Sequence, residues 1–313
     1  MEQDPGQRVI CVLGPTGTGK SSLALHLARK LPLQVVNFDS RQVYADFPLI
    51  TAQPGEEERK VCRHWLYGFL NSDQRLDAAG YSELADQVLA WIGDSGSLPL
   101  LVGGTGLYLK ALLQGLAPVP QVPEEIRQQV LQRCALLGPQ ALHQELVRVD
   151  PELAQRLHPR DRQRITRALE VYQATGAPLS SWQKAQPQAQ ARYQALKIGL
   201  WPDMQQLWSK LEERIEIMLQ SGAVQEVEQA WERCGQESAP AWTGIGCREL
   251  LDYILGRCFL QEAKQKWLRR TRAYAKRQLT WFKKDPEVHW LSPGQKQEIL
   301  DLVLEWTGNE ARG

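Results

Sequence analysis

Residues 14–21 read Gly-Pro-Thr-Gly-Thr-Gly-Lys-Ser, which fits the phosphate-binding pattern G-x-x-x-x-G-K-[ST] at every fixed position. An apolar, β-rich run at 8–13 precedes this loop, and a run of good helix formers follows it at 22–29. A strand, a glycine-rich turn and a helix in this order let backbone N–H groups surround a phosphate, and the helix N-terminus adds partial positive charge. The sequence therefore predicts a site for a diphosphate or polyphosphate next to a parallel sheet.

The loop residues have distinct expected roles in such a site. Lys20 supplies a full positive charge, and the hydroxyl of Ser21 is the expected protein ligand of a Mg²⁺ ion that accompanies the phosphates. The alternative is a glycine-rich turn that binds nothing, and the flanking strand and helix disfavour it. The residues expected to contact the diphosphate are Gly14, Thr16, Gly17, Thr18, Gly19, Lys20 and Ser21.

The first 117 residues alternate predicted strands and helices. Strands are expected at 8–13, 33–38 and 99–102, and helices at 22–29, 81–91 and 107–113. This alternation predicts an α/β fold, with a phosphate-loop core built on a parallel sheet and helices on both faces. A further strand is expected at 195–200, and everything after it is predicted to be helical, at about 203–220, 222–233, 246–255 and 260–283.

The character of the chain changes after residue 117. Three prolines at 118–123 mark a linker, and residues 123–176 contain helical patterns with no candidate strand. A Gln/Ala-rich stretch at 183–194 is expected to be mobile or loosely helical. We therefore predict a core of residues 1–117 and 195–313, interrupted by an all-helical insertion domain at 118–194.

Composition excludes several other classes of protein. The chain is 43% hydrophobic and 23% charged, as in soluble globular proteins, and no apolar run approaches the ~18 residues of a membrane span. Its first five residues are acidic and polar, unlike a signal or transit peptide, and its six cysteines are scattered without a C-x-x-C pair. We expect a monomeric cytoplasmic protein with reduced thiols and no membrane partner.

The acidic residue that phosphate-loop enzymes acting on nucleotides generally carry after a second apolar strand is missing. The strand at 99–102 ends in Gly-Gly-Thr-Gly, and the nearest carboxylate at a strand end is Asp39. Parallel strands place their carboxyl ends beside the phosphate loop, so Asp39 and Thr105 should converge on the group held by Lys20. Asp39 is then suited to act on a nucleophile instead of on a metal ion. A capping or turn role for Asp39, and a turn-stabilising role for Thr105, remain alternatives.

Two runs of the sequence are strongly basic. The first, residues 160–167, has four arginines beside the acids Asp161 and Glu170. In the second, residues 262–284, only Glu262 opposes nine basic residues, and such runs are typical of proteins that bind a phosphate backbone. The alternative is a solvated helix that pairs with acidic neighbours. Two runs in a chain of net charge +1 favour local contact with a nucleic acid. The nine basic residues are Lys264, Lys266, Arg269, Arg270, Arg272, Lys276, Arg277, Lys283 and Lys284.

Five segments together resemble the tRNA dimethylallyltransferases (tRNA isopentenyltransferases) of the bacterial type, and the resemblance covers nearly the whole chain. They are residues 14–21, 39–44, 102–108, 161–170 and 275–281. The resemblance implies transfer of a dimethylallyl group from dimethylallyl diphosphate to N6 of the adenosine 3′ of the anticodon in tRNA. It also implies Mg²⁺ as cofactor and the tRNA anticodon stem-loop as partner.

The resemblance assigns roles to individual residues. Asp39 is the expected base that accepts the N6 hydrogen, with Thr105 and Lys20 beside it in the catalytic set. Arg214 is expected to reach the diphosphate, although pairing with Glu213 or Glu216 along its helix is the alternative. The residues implied to contact tRNA are Asp39, Ser40, Arg41, Gln42, Thr105, Arg127, Gln163, Arg164, Ile165, Thr166 and Arg167.

Other functions remain open on the sequence alone. A phosphate-loop kinase would bind ATP and would need an acid near residue 102, which is absent. A prenyltransferase of free AMP, ADP or ATP would not need the two basic runs, and a nucleotide-gated RNA-binding protein would show no turnover. The chain also departs from the family pattern at 45–53, 61–67 and Cys247, which affects packing and fine tRNA contacts rather than the reaction.

Overall fold

The computed structural model of the chain describes residues 6–185 and 192–308. The strands are β1 (Arg8–Leu13), β2 (Leu33–Asn37), β3 (His64–Trp65), β4 (Leu98–Gly103), β5 (Gln194–Leu200) and β6 (Val288–Leu291). Within the described residues they form one six-stranded sheet in the order β3-β2-β4-β1-β5-β6, and all neighbouring strands are parallel. The parallel α/β fold predicted from the sequence is confirmed.

Helices connect and cover the strands. In chain order they are α1 (Lys20–Ala28), α2 (Pro48–Thr51), α3 (Glu56–Val61), α4 (Ala78–Asp94), α5 (Gly106–Gln114), α6 (Glu124–Val149), α7 (Pro151–Arg156), α8 (Arg162–Thr175), α9 (Leu179–Lys184), α10 (Met204–Gln220), α11 (Ala223–Cys234), α12 (Cys247–Ile254), α13 (Leu260–Phe282) and α14 (Lys296–Thr307), with a 3₁₀ turn at Pro240–Thr243. No helix in the described part of the chain is long and apolar enough to cross a membrane.

The central strand β1 explains why helices cover both faces of the sheet. Successive side chains of a strand point to opposite faces, and every residue of β1 after Arg8 is buried. Val9 and Cys11 pack with α4 and α5, whereas Ile10 and Val12 pack with α1 and α14. A continuous apolar run of this kind is buried on both sides only when helices cover both faces of the sheet.

The prediction that only helices follow residue 200 was wrong at β6. Val288–Leu291 pairs with β5 at the sheet edge, and Lys197 of β5 binds Asp285 and Glu287 just before it. A four-residue edge strand is too short to show a clear alternation. Within the Gln/Ala-rich stretch, α9 ends at Lys184 and β5 begins at Gln194. The central part of that stretch, 186–191, lies outside the described residues.

The chain divides into two compact units, Met1–Gln114 with Ala191–Gly313, and Gly115–Gln190. In its described residues the second unit is all helical, with α6, α7 and α8 packed around an apolar core that includes Val130, Leu146 and Ile165. In the first unit, helices α10–α13 enclose a separate core around Trp242. Packing around Trp242 holds α13 against the carboxyl end of the sheet. There Phe282, at the end of α13, joins the core of α4 and α5.

Candidate functional site

The phosphate-binding loop has the backbone that its glycines predict. Residues 14–19 connect β1 to α1, and Gly14, Gly17 and Gly19 have φ angles of 140°, 82° and 89°. These values lie in the region that side chains other than glycine rarely adopt. The buried hydroxyl of Thr18 donates a hydrogen bond of 2.9 Å to the Pro15 carbonyl, which closes the loop upon itself.

Lys20 lies at the centre of the predicted diphosphate site. Its Nζ donates to the carbonyl oxygens of Gly14 and Pro15, at 3.0 and 2.8 Å. Burial lowers the pKa of Lys20 to about 8, the charge of Asp39 acts to raise it, and the charge of Arg214 acts to lower it. Lys20, Asp39 and Arg214 therefore share one electrostatic environment, although the sequence separates them widely.

Asp39 follows β2 in a turn that a buried asparagine holds. The Asn37 amide donates to the carbonyl oxygens of Asp39 (3.0 Å) and Leu66 (2.8 Å), and its Oδ1 accepts from the Asp39 N–H at 2.7 Å. Asp39 Oδ1 accepts a hydrogen bond of 2.9 Å from the Arg41 N–H, so this oxygen does serve the turn. No described residue donates to Oδ2, which faces Gly104. One carboxylate oxygen is thus structural and the other is available.

Thr105 ties the turn after β4 to the turn after β2. Its N–H donates to the Phe38 carbonyl at 3.2 Å, its Oγ1 accepts from the Ser40 N–H at 2.9 Å, and its hydroxyl donates to Ser40 Oγ at 3.2 Å. The structure therefore brings Asp39, Ser40 and Thr105 together at the carboxyl ends of neighbouring strands, as the sequence predicts for Asp39 and Thr105.

Helix α13 adds three side chains to this site that the sequence analysis did not assign. Tyr274, Gln278 and Trp281 have the spacing i, i+4, i+7, which places them on one helix face. That spacing was the available signal, but nothing local in the sequence indicates which turn the face covers. The Trp281 indole packs directly against Gly106, where a β-carbon would collide with Nε1.

Tyr274 lies beside the predicted catalytic residues. Burial raises the pKa of its phenol and the charge of Asp39 raises it further, while the Thr105 hydroxyl and the charge of Arg41 act in the opposite direction. The phenol consequently stays protonated at neutral pH. It is a hydrogen-bond donor next to Asp39 and Thr105.

Gln278 joins the two loops of the site through its buried amide. Its Oε1 accepts a hydrogen bond of 2.9 Å from the Thr16 N–H, and its Nε2 donates one of 2.9 Å to the Gly104 carbonyl. The Thr16 N–H, one of the groups expected to contact the diphosphate, is therefore bonded to Gln278.

Arg214 of α10 lacks the helical ion pairs that were the alternative to a ligand-binding role. Glu216 binds Lys264 at 2.6 Å, and among the described residues no ion pair or side-chain hydrogen bond involves Arg214 or Glu213. Burial lowers the pKa of the Arg214 guanidinium, and the charge of Asp39 opposes this shift. Arg214 also lines a cleft of about 520 Å³ between α2 and α10, together with the apolar side chains of Leu49 and Met218.

The other residues implied to contact tRNA in the first unit are partly engaged within the protein. Arg41 Nη1 donates to Thr243 Oγ1 at 2.7 Å. The Gln42 amide donates to the carbonyl oxygens of Thr51 (2.9 Å) and Ala52 (2.7 Å), so it holds the end of α2. Both Gln42 amide hydrogens are thus used internally.

In the second unit, the residues implied to contact tRNA fall into two groups. Gln163, Arg164 and Arg167 are exposed, and the two arginines pair with Asp161 and Glu170 along α8. Ile165 is completely buried among the helices, and the Thr166 hydroxyl donates to the carbonyl oxygens of the preceding turn. The side chains of Ile165 and Thr166 therefore belong to the helical core. Arg127, half-buried on α6, acts to lower the pKa of Glu170, which burial raises.

The basic run on α13 is partly structural. Lys264, Arg270 and Arg272 form ion pairs with Glu216, Glu249 and Glu212 of neighbouring helices. For these three residues, the alternative of a helix that pairs with acidic neighbours therefore holds. The remaining six make no ion pair with any described residue: Lys266, Arg269, Lys276, Arg277, Lys283 and Lys284.

A metal at Ser21 would find few protein ligands. Ser21 is exposed in the first turn of α1, and the described residues contain no group of three His, Cys, Asp or Glu side chains suited to hold a metal ion. Mg²⁺ commonly takes one or two protein ligands and completes its shell with phosphate oxygens and water. The residues present fit a Mg²⁺ ion that arrives with a diphosphate.

Comparison with known proteins decides the family. Residues 42–285, well over half of the chain, match the family model described as IPP transferase. The chain belongs to the IPP transferase family. It is 51% identical over 298 residues to the tRNA dimethylallyltransferase of Maridesulfovibrio salexigens, which covers 95% of this chain and 97% of that protein. It is 50% identical to the corresponding protein of Oleidesulfovibrio alaskensis, with coverage of 96% and 98%.

Solved structures of the family share its fold. The full-length tRNA isopentenylpyrophosphate transferase of Bacillus halodurans superposes with a TM-score of 0.70 at 30% identity, covering 96% of each chain. A eukaryotic dimethylallyltransferase described as acting on tRNA superposes with a TM-score of 0.81 at 26% identity, covering 97% of this chain and 80% of that one. The family resemblance drawn from five sequence segments is confirmed.

Proposed function

We propose that this chain transfers a dimethylallyl group from dimethylallyl diphosphate to N6 of the adenosine 3′ of the anticodon in tRNA, giving N6-(dimethylallyl)adenosine and diphosphate. One observation carries the proposal. In a chain whose relatives are tRNA dimethylallyltransferases, the charges of Asp39 and Arg214 both act on buried Lys20, and no described residue donates a hydrogen bond to Asp39 Oδ2. Two cations suit a leaving diphosphate, and one free carboxylate suits a nucleophile that must lose a proton.

The donor half of the site consists of the phosphate-binding loop with Lys20 and Arg214. As the bond between the allylic carbon and the diphosphate breaks, negative charge develops on the leaving oxygen, and fixed cations and N–H groups stabilise it. Arg214 has no partner among the described residues, so a diphosphate would bind it without first breaking an ion pair. A Mg²⁺ ion held at Ser21 would supply further positive charge to the diphosphate.

The acceptor half consists of Asp39, Thr105 and Tyr274. The N6 amine attacks the allylic carbon, and the hydrogen it loses passes to Asp39 Oδ2, while Oδ1 stays bound to the Arg41 N–H. Tyr274 and Thr105 offer hydroxyl groups that can orient the base next to the carboxylate. The N6 amine thus reaches the allylic carbon with Asp39 already placed to take its proton.

The tRNA would bind through basic and polar side chains. We propose that the unpaired basic residues of α13, together with Arg127, Gln163, Arg164 and Arg167 of the helical unit, contact the anticodon stem-loop. A base in a stacked loop cannot reach a site at the end of a sheet, so the target adenosine would leave its stack. We further propose that the protein acts as a cytoplasmic monomer.

The test uses purified protein, radiolabelled dimethylallyl diphosphate, Mg²⁺ and unmodified tRNA with an adenosine 3′ of the anticodon. The proposal expects label on tRNA with release of diphosphate. Hydrolysis of ATP without labelled tRNA would support a kinase or nucleotide hydrolase, and label on free AMP, ADP or ATP would indicate a nucleotide prenyltransferase.

The Asp39→Asn variant is the matched control for this experiment. The asparagine oxygen can still accept the hydrogen bond from Arg41, so the turn is kept, but the amide cannot take a proton. Transfer should be lost while tRNA affinity stays within about twofold, as expected for removal of a proton acceptor alone. Equal loss of transfer and affinity would make Asp39 a structural residue.

A further inference from the structure

The amide of Gln278 is almost fully buried, with an exposed fraction of 3%, and both of its ends are bonded to backbone groups. One end binds the phosphate-binding loop at the Thr16 N–H. The other binds the Gly104 carbonyl, in the residue before Thr105. A single side chain therefore connects the donor half of the site to the acceptor half.

Among the described residues, the Gln278 side chain makes no hydrogen bond to Lys20, Arg214 or Asp39. Its partners are a loop amide and a turn carbonyl, whereas Lys20, Arg214 and Asp39 lie on other elements. It is therefore not a catalytic residue. Its two hydrogen bonds instead fix the distance between the loop that would hold the leaving diphosphate and the turn that would hold the accepting amine.

We propose that Gln278 is a positioning residue that sets the separation of the phosphate-binding loop and the Gly104–Thr105 turn, so that the donor carbon and the accepting nitrogen meet at bonding distance. The proposal rests on the proposed function, because it assigns donor and acceptor to these two loops. A misplacement of ~1 Å between reacting groups can lower a rate by about 10²-fold, so a link of this kind has a large effect on transfer.

The two hydrogen bonds can be separated by substitution. Gln278→Glu keeps an oxygen that can accept from the Thr16 N–H but loses the donor to the Gly104 carbonyl. Gln278→Met has similar length and loses both, leaving the Thr16 N–H and the Gly104 carbonyl without this partner. We expect transfer to fall in the order wild type, Gln278→Glu, Gln278→Met.

The informative measurement is the single-turnover rate at saturating tRNA and donor, beside the separate affinities for tRNA and dimethylallyl diphosphate. Gln278→Met should lower this rate by about tenfold or more, with each affinity within about threefold of wild type. Gln265→Met, an exposed glutamine on the same helix, should behave as wild type.

A destabilised variant separates positioning from a merely structural role. Val303→Ala removes buried methyl groups from α14, in the core on the face of the sheet that α1 and α14 cover. If Gln278→Met lowers the rate no more than Val303→Ala at a similar loss of thermal stability, the positioning role is overturned. A wild-type protein that labels no tRNA would instead overturn the proposed function, so the two failures are distinguishable.

Discussion

The Gln278 side chain occupies the space that a β-carbon on Gly104 would need, since such a carbon would collide with Gln278 Nε2. The same nitrogen donates a hydrogen bond of 2.9 Å to the Gly104 carbonyl. Glycine at 104 is thus required by the approach of a buried side chain from α13. The glycine at the end of β4 therefore leaves space for Gln278, which lies 174 residues later in the chain.

The variant Gly104→Ala should therefore lose both stability and transfer. The added methyl group would displace the Gln278 amide and leave the Thr16 N–H unpaired, which costs about 1–3 kcal/mol for a buried group. Thermal unfolding and single-turnover transfer measure the two effects. Gly55→Ala is the matched control, because Gly55 has a φ of −77° and no atom lies within 4 Å of the position that its new methyl group would take.

Combining Gly104→Ala with Gln278→Ala distinguishes the steric effect from the positioning effect. The double variant removes the clash, so part of the lost thermal stability should return. Transfer should stay low because the link between the two loops is still missing. Recovery of transfer together with stability would show that the Gly104→Ala defect is steric alone.

Arg214→Gln should weaken binding of the prenyl donor and leave tRNA affinity nearly unchanged. Hydrogen bonds to charged groups contribute about 1.5–3 kcal/mol, so the Kd for dimethylallyl diphosphate should rise by roughly 10- to 100-fold. Titration calorimetry with the diphosphate, and filter binding with tRNA, measure the two quantities. Arg29→Gln, an exposed arginine at the end of α1, should change neither. A loss confined to tRNA affinity would place Arg214 outside the donor site.

The contrast between the phosphate-binding loop and its surroundings shows what the sequence could predict. The loop was predictable because its backbone angles and its internal contacts, such as those of Thr18 and Lys20 with Pro15, lie within eight consecutive residues. Parallel-sheet geometry extended the prediction to Asp39 and Thr105, since strand ends meet at one edge. Both inferences use local pattern and one general rule of topology.

The remaining parts of the site depend on contacts that no local pattern encodes. Gln278 meets Thr16 and Gly104 across separations of 262 and 174 residues, and the Asn37 amide, which holds the Asp39 turn, is itself fixed by the Leu66 carbonyl 29 residues later. Edge strand β6 was missed for a different reason, because four residues beside a longer strand carry too little periodicity. Ile165 lies in a basic run, yet it belongs to the core.

The depressed pKa of Lys20 predicts how donor binding depends on pH. Burial favours the neutral amine and brings the pKa to about 8, so the free protein loses this charge as the pH rises above that value. Binding of the diphosphate then requires uptake of a proton, and the Kd should rise by up to about tenfold per pH unit between pH 8 and 10. Burial raises the pKa of the nearby Tyr67 and Tyr274, so these phenols do not titrate in the same range.

Lys20→Arg provides the control for this titration, because a guanidinium stays charged throughout the range. Its Kd for dimethylallyl diphosphate, whatever its value at pH 7, should be nearly flat from pH 7 to 10. A wild-type Kd that is equally flat would show that Lys20 does not change its charge, or does not contact the donor.

The division of α13 into paired and unpaired cations predicts which of them contribute to tRNA binding. A cation of α13 that is bound to a carboxylate of a neighbouring helix gains little from a phosphate, whereas an unpaired one releases a counterion on binding and steepens the salt dependence. Replacing both Arg277 and Lys284 by glutamine should weaken tRNA binding and lower the slope of log Kd against log salt by about 1.5. Replacing Lys264 and Arg272, which pair with Glu216 and Glu212, should leave the slope nearly unchanged. An equal decrease of the slope in both double variants would mean that ion pairs within the protein do not decide which cations contact tRNA. A slope that is unchanged in both variants would show that α13 does not contact tRNA.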